Sequence, residues 1–147
     1  MKLPTRVLYG IRALLDLALN EGKGAVPLKD VALRQGISLH YLEHLITPLV
    51  RAGVIRSTRG ARGGVQLGKD PHEIKLSEVI QLLEGSITLA ECINNPESCP
   101  RADACAARDI WSEMKSAVDG VLESTTLHDL VERHKIKEQP EQVMYYV

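Results

Sequence analysis

Cys92, Cys99 and Cys105 are the only cysteines of the 147-residue chain and fall within 14 residues, separated by six and then five others. Thiols clustered in this way in a reducing compartment serve a metal or a redox reaction more readily than a structural disulfide. The intervals exceed the two-residue spacing of structural zinc knuckles, without forbidding zinc. Three thiolates on a loop kept extended by Asn94, Asn95, Pro96 and Pro100 suit an iron-sulfur cluster that needs one further ligand. Two other groups have chemistry to offer. Arg56, Arg59 and Arg62 recur at three-residue steps among Gly60, Gly63 and Gly64. Glycine there permits close backbone approach, and arginine suits phosphate clamping or insertion into a narrow minor groove. Ser38, His40, Tyr41, Glu43 and His44 place hydroxyl, imidazole, phenol and carboxylate groups within seven residues.

Residues 1–75 hold 12 Lys/Arg against 6 Asp/Glu, and residues 76–147 hold 6 against 13, so a net charge of -1 conceals halves of opposite sign. Affinity for nucleic acid follows local charge, and a basic half attached to an acidic half is what a phosphate-binding module with an appended non-binding module shows. No catalytic set emerges: there is no phosphate-cradling glycine loop with its lysine, no paired-histidine metalloprotease motif and no nucleophile elbow, so the chain is not expected to be an enzyme. It is also expected to act on no small-molecule substrate. No apolar run approaches the roughly 18 to 20 residues of a membrane span, and no secretory leader is visible, which predicts a cytoplasmic protein without membrane contact.

The elements that must position these groups can be read from periodicity. Val7, Leu8, Ile11, Leu14, Leu15, Ala18 and Leu19 predict a first helix over Thr5 to Leu19 with one buried face. Leu28, Val31 and Ala32 predict a short second helix that starts at Pro27 and is stopped by Gly36. Ser38 then caps a third helix to about Ala52, carrying Leu42, Leu45, Ile46 and Leu49, with Pro48 in conflict with its interior. Two short helices joined by a glycine turn make a helix-turn-helix whose second member can enter the major groove, and a hairpin of Val54 to Thr58 and Val65 to Leu67 directly after it is a wing. On a recognition helix Glu43 would be repelled by phosphates, so its use is to accept a hydrogen bond from cytosine N4.

Beyond Asp70-Pro71 a fourth helix runs through Leu76, Val79, Ile80 and Leu83, capped by Ser77 or a neighbour and stopped by Gly85. Residues 86–101 read as irregular. From about Asp103 to Leu122, Ala107, Trp111, Met114, Val118 and Val121 repeat at steps of four and three, a two-heptad seam expected to pair two copies of the chain. The fold expected is mainly α with a small β-hairpin wing. Residues 1–85 form the winged helix-turn-helix DNA-binding domain and 86–105 the cysteine loop. The dimerisation and terminal helices occupy 103–134, with a loosely held tail over 135–147.

Taken together the residues resemble the Rrf2 family of bacterial regulators over nearly the whole chain. The resemblance rests on Tyr9-Gly10-Ile11-Arg12-Ala13 with Leu15-Asp16-Leu17-Ala18, Ile37-Ser38 followed by Tyr41-Leu42-Glu43, Ala52-Gly53-Val54-Ile55, Arg59 to Gly64 with Leu67, and the three-cysteine loop. It implies a homodimeric transcription regulator, here a repressor, on a pseudo-palindromic duplex operator. An iron-sulfur cluster on Cys92, Cys99 and Cys105 is implied as its sensor, 2Fe-2S ahead of 4Fe-4S. Base or backbone contacts from Ser38, Tyr41, Glu43 and His44 are implied too, with Arg59 in the minor groove. Three positions depart from the family pattern. Arg108 stands where cluster-bearing members carry a histidine ligand, and a guanidinium cannot ligate; Leu8 stands where nitric-oxide-sensing members carry an acidic one; Val65 replaces the usual tyrosine of the wing. Asp103, Asp109, His40, His44 or solvent are left as candidates for the fourth ligand. The alternative is a cluster-free regulator of cysteine or sulfur metabolism, acting through a partner protein or a thiol redox switch.

Overall fold

A computed structural model describes residues 2–139. Helix α1 (Thr5–Leu19) lies at the centre, packed against the second, third, fourth and last helices and the return strand of the hairpin. Its position follows from its buried stripe: Val7, Ala13, Leu14, Leu17 and Ala18 are sealed from water, and each fully buried valine or leucine contributes roughly 1.5 to 3 kcal/mol of hydrophobic stabilisation. Gly10 lies on the same stripe because a Cβ there would stand 2.3 Å from Leu83 Cδ1.

Helix α2 (Leu28–Gln35) is entered through Pro27, which is its N-cap rather than a member of its first turn. It ends at Gly36, whose left-handed φ of 66° lets the Ile37 N–H turn back to the Ala32 carbonyl. Helix α3 (Leu39–Arg51) begins one residue later, with the Ser38 hydroxyl accepting from the Tyr41 N–H at 3.1 Å. It runs unbroken through Pro48. The proline leaves the His44 carbonyl without its helical donor, and the four buried residues Leu42, Leu45, Ile46 and Leu49 hold the segment helical nonetheless.

Strands β1 (Ile55–Thr58) and β2 (Gly64–Leu67) pair antiparallel, Ile55 opposite Leu67 and Arg56 opposite Gln66. A further rung joins Val26 to Val65 by two 2.8 Å backbone hydrogen bonds, so the wing is anchored to the entry of α2. Gly64 is required at this rung, since a Cβ would meet the Val26 carbonyl oxygen at 2.3 Å. Val65 is 1% exposed and packs into the core, a smaller filler at the position where the family pattern has tyrosine.

Helix α4 (Leu76–Leu83) follows. No side chain caps it: its N-cap is Lys75, and the Leu76 N–H donates to the Thr125 carbonyl at 3.0 Å, so a partner 49 residues away does what Ser77 was expected to do. Residues 86–105 fold as the short helix α5 (Glu91–Asn94) and two single turns at Pro96–Ser98 and Ala102–Ala104. The long helix α6 (Ala106–Ser124) therefore starts with Cys105 as its N-cap, after a turn at 102–104 rather than at Asp103. Not one residue of α6 is buried. Helix α7 (Leu127–Lys137) returns to the core through Leu127 and Val131 and is opened by a reciprocal cap between Thr126 and Asp129. Of the expected tail, residues 135–137 belong to α7, and 140–147 lie outside the described residues.

Candidate nucleic-acid interface and cysteine loop

The packing of α3 decides which of its side chains can meet a ligand. With Leu42, Leu45, Ile46 and Leu49 turned inward, His40, Glu43, His44, Thr47 and Arg51 form one exposed stripe at three- and four-residue steps. Ser38 heads the stripe and is exposed. Its oxygen accepts from the Tyr41 N–H, which leaves the hydroxyl proton available to an external acceptor. Tyr41 is half-buried, edge-on to Tyr9 with ring centroids 6.1 Å apart, and Arg12 stands 5.2 Å over the Tyr9 ring, so this residue also ties α3 to α1. Thr47 and Arg51 were not singled out by sequence reasoning, although the helical step from Glu43 and His44 points to them.

The three wing arginines are all exposed but do not share one set of partners. Arg59 and Arg62 lie in the turn between β1 and β2, exposed. Arg56 lies on β1 opposite Gln66, whose amide oxygen in its satisfied orientation accepts from the guanidinium Nε at 3.1 Å. It fronts a hollow bounded by Leu17, Asn20, Gly22 and Gly24, on the body side of the hairpin.

An ion pair was also missed. Asp16, 7% exposed on the apolar face of α1, accepts from Arg34 Nε at 2.8 Å and Nη2 at 2.7 Å, and from Gln35 Nε2 at 3.2 Å. The carboxylate raises the affinity of the Arg34 guanidinium for its proton, and the fork fixes α2 against α1. An acidic residue in an otherwise apolar run, Leu14-Leu15-Asp16-Leu17-Ala18, was the available signal.

Cys92 stands on α5, Cys99 closes the turn at Pro96–Ser98, and Cys105 caps α6; all three are free thiols and half-buried. The donor chemistry fits a thiophilic centre. Among the described residues, however, no three His, Cys, Asp or Glu side chains are gathered into a metal-holding group, so the three cysteines stand apart from one another and the choice among Asp103, Asp109, His40, His44 and solvent stays open. Arg108 does not ligate but braces the loop, its Nε donating to the Cys92 carbonyl at 3.3 Å. Leu8 is 47% exposed and lines an apolar groove of about 590 Å³ between α1 and α6, together with Leu3, Ile11, Ile80, Val118 and Val121. Of the seam, Ala107, Trp111, Met114 and Val121 are exposed and Val118 is half-buried. No described helix is long and apolar enough to cross a membrane.

Comparison with known proteins agrees with this architecture. The Rrf2 family, described as an iron-dependent transcriptional regulator, matches residues 3–133. The protein Rrf2 of Nitratidesulfovibrio vulgaris is 44% identical over 131 residues, 89% of this chain and 87% of that one. Among solved structures, T. potens IscR superposes with a TM-score of 0.79 at 36% identity, covering 99% of this chain and 97% of that one. CymR, the global cysteine regulator of B. subtilis, gives 0.77 at 38% identity, covering 90% and 98%. These relatives are transcription regulators rather than enzymes, and their fold is a winged helix. By the match over nearly its whole length, the chain belongs to the Rrf2 family of transcription regulators.

Proposed function

We propose that the protein is a cytoplasmic, homodimeric repressor that reads a pseudo-palindromic operator with α3 and clamps it with the wing, and that its cysteine loop senses the signal. The observation that carries the reading is the pairing of an exposed polar stripe on α3 with an exposed arginine turn, both on the basic half of the chain. Ser38, His40, Tyr41, Glu43 and His44 face base edges or the backbone, Arg59 and Arg62 reach the flanking groove, and Arg56 steadies the wing. Cys92, Cys99 and Cys105 would hold an iron-sulfur cluster, 2Fe-2S ahead of 4Fe-4S, which supplies a redox-responsive centre when bound. The loop that carries them leads directly into α6, so a change in its conformation reaches the dimer seam without passing through the core.

A second reading rests on the ungathered thiols and on the likeness to CymR: the same cysteines act without a cluster, as a thiol switch or a partner-protein contact. Purification without oxygen, followed by visible absorption and iron and sulfide assay, separates the two. A brown protein that a Cys92/Cys99/Cys105 triple-alanine variant turns colourless supports the cluster. A colourless protein that resists reconstitution overturns it in favour of the thiol reading. Selection of bound duplexes from a random pool tests operator binding in either case, and failure to enrich a two-fold sequence would sink the regulator reading.

A further inference from the structure

His40 and His44 are one helical turn apart on α3, both exposed, with their Nε2 atoms 3.2 Å from each other and their rings perpendicular at a centroid distance of 4.6 Å. Among the described residues neither ring has another side-chain hydrogen-bond partner. One Nε2–H shared between two solvent-exposed imidazoles contributes little net, because each ring exchanges a hydrogen bond to water for it. The separation has a stricter chemical meaning. Two nitrogens at the zinc–nitrogen bond length of 2.0 to 2.1 Å, set at a tetrahedral angle, stand about 3.3 Å apart.

We propose that His40 and His44 form a bidentate site for a divalent late transition-metal ion on the exposed face of α3, separate from the cysteine loop. The ion takes the place of the shared proton; the ring that gives up its Nε2–H is reprotonated at Nδ1 through solvent, so both rings bind through Nε2 lone pairs as Nδ1–H tautomers and no net proton is released. Imidazole donors select zinc, nickel or copper over magnesium and calcium, which prefer oxygen. No third His, Cys, Asp or Glu side chain joins the pair among the described residues, so the remaining positions belong to water and the site stays open to exchange. The helix presents the two ligands without a loop to order, because residues at i and i+4 already lie on one face.

The test is zinc titration by isothermal calorimetry, first on the Cys92/Cys99/Cys105 triple-alanine protein, so that thiols do not compete. The proposal expects one equivalent that disappears in the added H40A/H44A pair. Either single substitution should weaken it at least about tenfold, since losing even an outer-shell partner of a metal ligand costs about 10- to 100-fold. The same one-equivalent difference is expected between the protein with its cysteines intact and its H40A/H44A variant, which covers the case in which the triple variant folds poorly. Both histidines are exposed, so circular dichroism should be unchanged by their loss. Zinc stoichiometry and affinity that are the same with and without the two histidines would overturn the site, as would failure of a cysteine-free protein with the circular dichroism of the wild type to take up zinc.

Discussion

Arg59 and Glu43 are opposite in charge and differ in what they can contribute. Arg59 is exposed in the wing turn, where a guanidinium meets phosphates or the narrow groove. Arg59→Ala should weaken operator binding by roughly 1 to 3 kcal/mol and flatten its salt dependence, measured by fluorescence anisotropy across a salt series. Unchanged affinity would remove Arg59 from the interface. Glu43 stands mid-stripe on α3, and a carboxylate beside phosphates lowers affinity wherever it finds no cytosine amino group. Glu43→Gln should therefore leave overall binding similar or tighter and reduce discrimination between operator and mismatched duplexes. A uniform loss on every sequence would contradict that role.

At the scale of elements, two polar devices fix helices that the apolar core leaves free to slide. Asp16 on α1 and Arg34 on α2 form one; the Arg34 side chain is 44% exposed, so solvent screens part of the pair. Asp16→Ala should cost about 2 kcal/mol in urea unfolding, the range of hydrogen bonds to charged groups. The other is the cap of α7, where the Thr126 backbone N–H holds the Asp129 carboxyl below the usual carboxylate range. A carboxylate depressed on folding stabilises fully above its unfolded value of about 3.9, and that stabilisation is lost as pH falls through the lower folded value. Asp129→Asn should remove this part of the acid sensitivity, so that wild type and variant melt closer together at pH 3 than at pH 7. Melting curves that stay equally far apart at both values would contradict the cap. Thr126→Ala should cost about 1 kcal/mol at neutral pH.

What periodicity and capping chemistry encode locally was legible in the sequence: α1 to its end residues, Ser38 at the head of α3, Gly36 and the hairpin. What depends on a distant partner was not. The start of α4 is set by a carbonyl 49 residues on, the Asp16 fork joins two helices, and the hold on the Arg56 side chain comes from a cross-strand glutamine. The cysteine spacing marked the loop but not its turns, because no short-range rule sets how three brief turns pack.

For the molecule as a whole, α6 is the element a single chain does not explain. Nineteen residues of helix bury none of their side chains, and Ile110, Trp111, Met114 and Val121 remain between 41% and 63% exposed. Soluble proteins seldom leave a contiguous apolar strip of this kind uncovered, and a second α6 offers the same seam, which is what two-fold pairing requires. Trp111, large and central on the strip, is the natural anchor. Trp111→Glu should leave the secondary structure intact, since the side chain already meets water in the single chain, but should halve the mass measured by sedimentation equilibrium. Operator affinity should then fall by roughly a hundredfold or more, because two linked half-site contacts become independent, while binding to an isolated half-site stays as it was. A variant that remains dimeric would move the interface elsewhere, to the groove between α1 and α6. A monomer with unchanged operator affinity would show that each wing and recognition helix works alone.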